Sequence, residues 1–402
     1  MSHLRRSAHH HKITIIAIIC AIALSAIAGV ASAGDKPKFN LYGFIRFDMM
    51  FFDSQMTSSL VPMWVKNEYN GKVPKDDPAY TLHPRLTRVG MRFKAWDIDD
   101  KWKMDAGVEV DFQSFADPVE SREPIRMRLA YVRLHHSDWQ FMAGQHWDLI
   151  SPLFPNVNLN GVNWNSGNLG DRRAQVRVTF APATGDGGRV YFAGALGLQG
   201  AVNASDLDKN GVLDGLDATF PQLQGRFGVK QPLGSTVLTL GVWGHFAKEE
   251  FFVAESTTEK EEYEAWSAGT DITLTIKEKI KIFGELWAGE NLADVRGGIG
   301  QGIDPVNQIG IRSVGGWGEL DYIHSNKVTL LGGYTLDNPK DEDLVEDDMR
   351  SKNRMAYGAV RWKPWAGSYM LSLEFMHWWT DYTGFGQTSD ANHVDVNMMY
   401  FF

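Results

Sequence analysis

The sequence predicts an all-β chain: a transmembrane antiparallel β-barrel of about 16 strands, with one long connection folded inward as a constriction loop. Three observations predict it. Runs of alternating apolar and polar residues recur along most of the chain. The gaps between those runs alternate short and long. The last run keeps its alternation to the final residue, with Val394, Val396, Met398, Tyr400 and Phe402 on one face. Chain ends usually fray, so a patterned last strand points to a sheet that closes on it. An ordinary edge strand is the plainer reading of that ending taken alone.

The N-terminus supplies an export signal. Arg5, Arg6 and Lys12 precede an apolar run over 13–24, and Ala31-Ser32-Ala33 is a small-x-small cleavage site. Residues 1–33 are therefore expected to be a cleaved signal peptide and 34–402 a single barrel domain. An uncleaved anchor is the alternative, and the apolar run is short for one. Cys20 is the only cysteine and lies in the leader, so the mature chain is expected to form no disulfide and no thiolate metal site. Removing three of the 40 Lys+Arg leaves 37 against 49 Asp+Glu, a formal charge of −12. Such a chain is a poor nucleic-acid binder. After residue 33 no apolar stretch is long enough for a membrane helix.

The strands are expected at 39–52, 85–96, 101–112, 125–135, 138–146, 173–181, 189–200, 221–231, 235–248, 264–276, 280–290, 307–321, 327–337, 354–365, 369–381 and 393–402. Every second gap is short, such as His136-Ser137, Pro232-Leu233-Gly234 and Lys277-Glu278-Lys279. The others are long and polar. Short turns on one rim and long loops on the other are the pattern of an outer-membrane barrel. A soluble β-sandwich or propeller requires no such parity, and no blade-like repeat is visible. In the first strand Leu41, Gly43, Ile45, Phe47, Met49 and Phe51 share one face, and Tyr42, Phe44, Arg46 and Asp48 the other. Lipid cannot hydrogen-bond a backbone, so such a sheet must close. Interfacial girdle candidates are Trp96, Trp102, Trp243, Trp266, Trp287, Trp362, Trp365, Trp378 and Tyr400.

A barrel of this size leaves an aqueous channel, and inward charges then govern selectivity. Alternation puts Arg46, Arg88, Arg92, Arg126, Arg128, Arg173 and Arg177 on the inner face. Arg133 falls on the opposite parity unless a bulge intervenes. Asp48, Asp105, Glu109 and Asp111 are expected to face the arginine row across the bore. Arginine forks bind carboxylate and phosphate in bidentate fashion, so the set predicts anion preference. The plainer alternative is that these charges pair with one another and only keep the lumen wet. The connection 147–172 is the constriction candidate. It carries Leu153, Phe154, Val157, Leu159 and Trp164, too apolar for a loop left in water. A lid or a subunit latch is the alternative.

Another long connection reads Asp206-x-Asp208-x-Asn210-Gly211-Val212-Leu213-Asp214-x-x-Asp217. Oxygens at positions 1, 3, 5, 7, 9 and 12 and a glycine at 6 are the pattern of a calcium loop. Asp206, Asp208, Asn210, Val212, Asp214 and Asp217 are thus the candidate ligands for a structural Ca2+. Position 12 is Asp rather than the longer Glu, and the flanks are strands. An Asp/Asn/Gly-rich turn is the alternative.

The opening strand Leu41-Tyr42-Gly43-Phe44-Ile45-Arg46-Phe47-Asp48, the strand Arg88-Val89-Gly90-Met91-Arg92-Phe93 and the terminal Phe402 resemble the trimeric Gram-negative porins. The segments Arg128-Leu129-Ala130-Tyr131-Val132, Ala143-Gly144-Gln145-His146-Trp147, Gly167-Asn168-Leu169-Gly170 and Arg172-Arg173 are similar to the DcaP-like porin family. The resemblance covers 40–180 best. It implies a homotrimer in the bacterial outer membrane, in contact with lipid and lipopolysaccharide, and passive diffusion of small, often carboxylated solutes. His146 stands where family members have Thr or Ser, and the coiled coil that many carry before the first strand is not expected here. An outer-membrane barrel enzyme or a substrate-specific receptor is the alternative function. Enzyme motifs such as Gly-x-Ser-x-Gly or His-Glu-x-x-His do not occur, so the chain is read as a non-enzyme.

Overall fold

The computed structural model describes residues 38–402, apart from 114–122, 204, 253–259, 305–306 and 366. The expected leader lies outside the described residues. Sixteen antiparallel strands close into one barrel. They are β1 (Phe39–Phe52), β2 in two pieces (Ala79–His83 and Arg88–Asp97), β3 (Trp102–Asp111), β4 (Arg126–His136), β5 (Trp139–Trp147), β6 (Arg172–Phe180), β7 (Arg189–Gly197) and β8 (Gln222–Leu233). Then follow β9 (Thr236–Phe252), β10 (Lys260–Ile276), β11 (Ile280–Glu290), β12 (Arg312–Ile323), β13 (Val328–Pro339), β14 (Arg350–Trp362), β15 (Tyr369–Tyr382) and β16 (Thr388–Phe401). Each pairs with its sequence neighbours, and β16 returns to β1 with Phe44 opposite Phe401 and Phe51 opposite Val394. Gly43 N donates to Phe402 O at 3.1 Å, and Phe402 N donates back to Gly43 O at 3.2 Å. The last residue therefore closes the barrel, as the terminal alternation predicts.

Two strands depart from a plain ladder for local reasons. The sequence places the second strand at 85–96, but β2 starts at Ala79 and breaks at Pro84, which has no N–H to give. Across that gap Thr87 Oγ1 accepts from Arg46 N at 3.1 Å and donates to Arg46 O at 3.2 Å. A side chain thus replaces the missing rung. In β4 the register with β3 shifts between Met127 and Leu129, so Arg128 is an extra residue on that strand. This bulge restores parity: Arg126 sits opposite Asp111 and Arg133 opposite Asp105, both on the inner face. The expected strand 307–321 begins later, at Arg312, because Ile309–Gly310 pairs instead with Ile303–Asp304 in a small ribbon of the preceding loop.

The barrel inverts the soluble pattern. Leu286 is 66% exposed and Leu373 53%, whereas Arg46, Asp48 and Glu374 are 0% exposed. Apolar residues out and charged residues in suit a wall facing hydrocarbon. No helix among the described residues is long and apolar enough to cross a membrane, which says nothing of a β-barrel, where strands cross. Trp362, Trp365 and Tyr400 are exposed as a girdle requires. Trp243, Trp287 and Trp378 are not girdle residues: they point inward and are buried. They pack against long connections that enter the barrel, Trp287 donating from Nε1 to Gly167 O at 2.7 Å. Three connections fold in: 53–78, 148–171 and 291–311. Leu60, Val61 and Met63 of the first meet Trp164 of the second, while Ile150 and Leu169 of the second meet Leu292 and Val295 of the third. Their small apolar clusters hold the loops inside.

Candidate solute path

The inner wall of β2 to β6 carries the arginines. Arg128 Nε donates to Glu109 Oε1 at 2.7 Å and its Nη1 to Asp111 Oδ2 at 2.8 Å. Arg126 grips Asp111 through two bonds of 2.8 Å. Arg133 Nε donates to Asp105 Oδ1 at 2.8 Å, and His135 meets the other oxygen at 2.5 Å. Arg88 lies over the Phe44 ring with its Nε 3.5 Å from Glu109 Oε1. Arg92 lies over the ring of Tyr42, whose hydroxyl donates to Glu109 Oε2 at 3.0 Å. Arg177 bonds Gln175 Oε1 and the Trp147 carbonyl. Among the described residues, Arg92 and Arg177 have no carboxylate within ion-pair distance.

Two expectations change here. The acids do not face the arginine row across the bore. Asp105, Glu109 and Asp111 sit on β3, between β2 and β4, and pair with that row directly, because cross-strand neighbours lie closer than anything across a channel. The pairs are unequal in exposure: Arg126 and Arg133 are 24% and 28% accessible, Asp111 and Asp105 0% and 14%. In these two pairs the basic end reaches water further than the acid, whereas Arg128 at 6% is as covered as Glu109 at 8%. Second, Arg46 and Arg173 do not reach open space. Arg46 is enclosed by Asp48 (2.8 Å) and Asp395 (3.3 Å). Arg173 bonds Asp148 at 2.8 Å and Asp294 at 2.7 Å, joining the bases of two inward loops. Their acid partners come from distant segments, so no strand pattern marks them as covered.

The opposite wall is acidic and covered. The inward loop 148–171 crosses it like a strap. Leu149 N donates to Gln224 Oε1 of β8 at 2.6 Å. Leu153 N donates to Glu285 Oε1 of β11 at 2.8 Å, and Ser151 Oγ to the other oxygen. Asn156 N donates to Glu319 Oε2 of β12 at 2.9 Å, and its side-chain amide spans Glu319 (2.7 Å) and Asp321 (3.1 Å). Asn158 N donates to Glu374 Oε2 of β15 at 2.9 Å. Sequence reasoning missed these glutamates. Their alternation marks them as inward, but nothing local marks them as loop anchors.

At the base of the loop, the Trp147 and Phe154 rings lie 4.5 Å apart between centroids, tilted by 53°, and Arg172 lies 4.7 Å from the Trp147 ring. Asp171 bonds Arg172 and Arg296 at 3.0 Å each. Burial opposes ionisation of Asp171, but Arg172 and Arg296 outweigh it and hold the carboxyl below its ordinary range.

Three of the four acidic candidates of the calcium loop come together. Carboxylate oxygens of Asp206, Asp208 and Asp214 lie within 4.8 Å of one another. Gly211, at a φ of +86°, turns the chain so that its N–H donates to Asp206 Oδ2 at 3.1 Å. Burial, together with the nearby charges of Asp208 and Asp206, raises the Asp214 carboxyl above its ordinary value. Asp217 stands apart, bonded to Lys260 Nζ at 3.0 Å and Asn210 Nδ2 at 2.9 Å.

No family model matches the sequence, and no curated protein matches it. Solved structures match its fold. The outer membrane channel DcaP of Acinetobacter baumannii superposes with a TM-score of 0.68 at 16% identity, over 92% of this chain and 99% of that one. The OmpF protein of Salmonella typhi gives 0.56 at 9% identity, over 92% and 99%. An anion-selective porin from Comamonas acidovorans gives 0.53 at 12% identity, over 91% and 100%. At such identities the likeness establishes the architecture: a bacterial outer-membrane porin fold, closed at sixteen strands.

Proposed function

We propose that the chain is a passive outer-membrane diffusion channel that prefers small anionic solutes, carboxylates foremost. One observation carries this reading. On one side of the interior Arg88, Arg126 and Arg133 are more accessible than the acids they pair with, and on the other the acids Glu285, Glu319, Asp321 and Glu374 lie under the loop. Water near the path therefore meets guanidinium groups before carboxylates, although the chain as a whole is acidic. A guanidinium field of this kind lowers the entry barrier for anions and raises it for cations. In planar bilayers the protein should conduct in steps grouped in threes, matching a homotrimer. In a KCl gradient its reversal potential should favour chloride. Ungrouped single steps would remove the trimer, and potassium preference would remove the anion reading.

A second reading, a substrate-specific channel, is favoured by Trp147, Phe154 and Arg172 at the loop base. A flat ring with a carboxylate fits a pair of tilted aromatic rings beside a guanidinium. Benzoate should then reduce chloride conductance saturably, where acetate at equal concentration does not.

Calcium in the 206–217 loop belongs to the same proposal as a structural ion. The three converging carboxylates fit a hard dication, whose charge would relieve their mutual repulsion. Asp217, paired with Lys260, would have to leave that partner to join them.

A further inference from the structure

We propose that the loop 148–171 sets charge selectivity by covering the barrel's own acids, with Glu285, Glu319 and Glu374 as its anchors and Asn156 as the central clasp. This rests on the anion-channel reading and deepens it. Three carboxylates on three different strands each accept a backbone N–H of the loop, from Leu153, Asn156 and Asn158, at 2.8–2.9 Å. Asn156 adds side-chain bonds to Glu319 and Asp321, and Arg361 of β14 donates to its side-chain oxygen at 3.1 Å and to its backbone carbonyl. Tyr357 completes the set with a 2.8 Å bond to Glu319.

The anchor chemistry is what makes this more than a steric plug. Neutral acceptors could also hold a backbone, though less strongly than carboxylates do. Four carboxylates on one stretch of wall would make that stretch attract cations wherever water reached it. Loop amides take the place of that water, and the four acids are 0–8% exposed. The same bonds that fix the loop therefore withdraw the acids from the path. Lifting the strap has two effects: the bore widens, and four negative charges enter it.

Widening alone moves selectivity toward that of free solution. Uncovering acids moves it past that point, to cation preference. Two variants separate the effects. Asn156→Asp puts a third negative charge between Glu319 and Asp321 and repels the strap while leaving the acids charged. Conductance should rise, and the chloride-to-potassium permeability ratio should fall several-fold, to below one. Glu285→Gln/Glu319→Gln/Glu374→Gln loosens the same anchors without leaving their charges behind. Conductance should rise again, with chloride preference kept. If both variants only drift toward unselective conduction, the loop is a steric element and the proposal is overturned. If wild type itself shows no chloride preference, the anion reading fails, while masking is still judged by whether the two variants diverge. Should Asn156→Asp fail to assemble, Asn156→Ser removes the reach to Asp321 but keeps the backbone bond. It should shift the reversal potential in the same direction by less, and no shift at raised conductance would count against the proposal.

Discussion

Arg173 and Arg177 stand four residues apart on β6 and do different things. Arg173 is enclosed by Asp148 and Asp294, and Arg177 reaches the interior without an acid partner. Truncating Arg173 strands two buried carboxylates, which costs about 3–5 kcal/mol. Arg173→Ala should therefore lower the temperature at which the folded barrel is lost on a heated gel. Arg177→Ala should leave that temperature nearly unchanged and lower chloride preference. The alternation on β6 reveals that both point inward. It could not reveal which is covered, since Asp148 and Asp294 lie in loops 25 and 121 residues away. Asp348 gives a pH test at the same scale. Partial burial disfavours its charge, but bonds from Lys72, Asn67 and Asn70 outweigh that and hold its carboxyl below the ordinary carboxylate range. A depressed carboxyl contributes stability above its unfolded value, about 3.9, and loses it as pH falls through the lower folded value. The 53–78 loop should thus resist proteolysis after Lys72 near neutral pH and lose that protection in Asp348→Asn, at a cost of about 1 kcal/mol.

The elements were legible in proportion to how local their causes are. Period-two patterning located every strand of the barrel, because the pleat alone decides which residues face lipid. The start of β2 was misplaced because its first piece, Ala79–His83, alternates over only five residues and is cut from the rest of the strand by Pro84. The bulge at Arg128 was visible only as a parity conflict between Arg126 and Arg133. Tryptophans misled for a physical reason: an indole is as much at home in a packed interior as at an interface, and Trp243, Trp287 and Trp378 are inside. Closure is the sharpest element-scale feature. A Cβ on Gly43 would lie 2.1 Å from Arg88 O. Gly43→Val should push β1 from β2 beside the seam with Phe402, and the heat-resistant folded band should weaken or vanish. The candidate calcium loop has its own test. If the ion binds the folded state alone, calcium at a hundred times its dissociation constant adds about 2.7 kcal/mol. Calcium should then raise the melting temperature of wild type but not of Asp206→Ala/Asp208→Ala, and an unmoved wild type would end that assignment.

At the scale of the whole molecule, an acidic chain encloses a path lined on one side by guanidinium groups. Net charge misleads here because acids and bases are placed differently. The acids lie in outer loops, beneath arginines or beneath the inward strap, and Arg88, Arg126 and Arg133 reach water. Composition and alternation gave the barrel, its bore and the arginine side. The covered acids were beyond them, because a loop-to-wall bond such as Asn158 to Glu374 spans 216 residues. The most direct test is the reversal potential of the reconstituted protein in a tenfold KCl gradient, for wild type and for Arg88→Ala/Arg177→Ala. The account predicts a chloride-preferring wild type whose preference falls several-fold in the double variant. A potassium-preferring wild type, or a chloride preference that the double variant leaves unchanged, would contradict it.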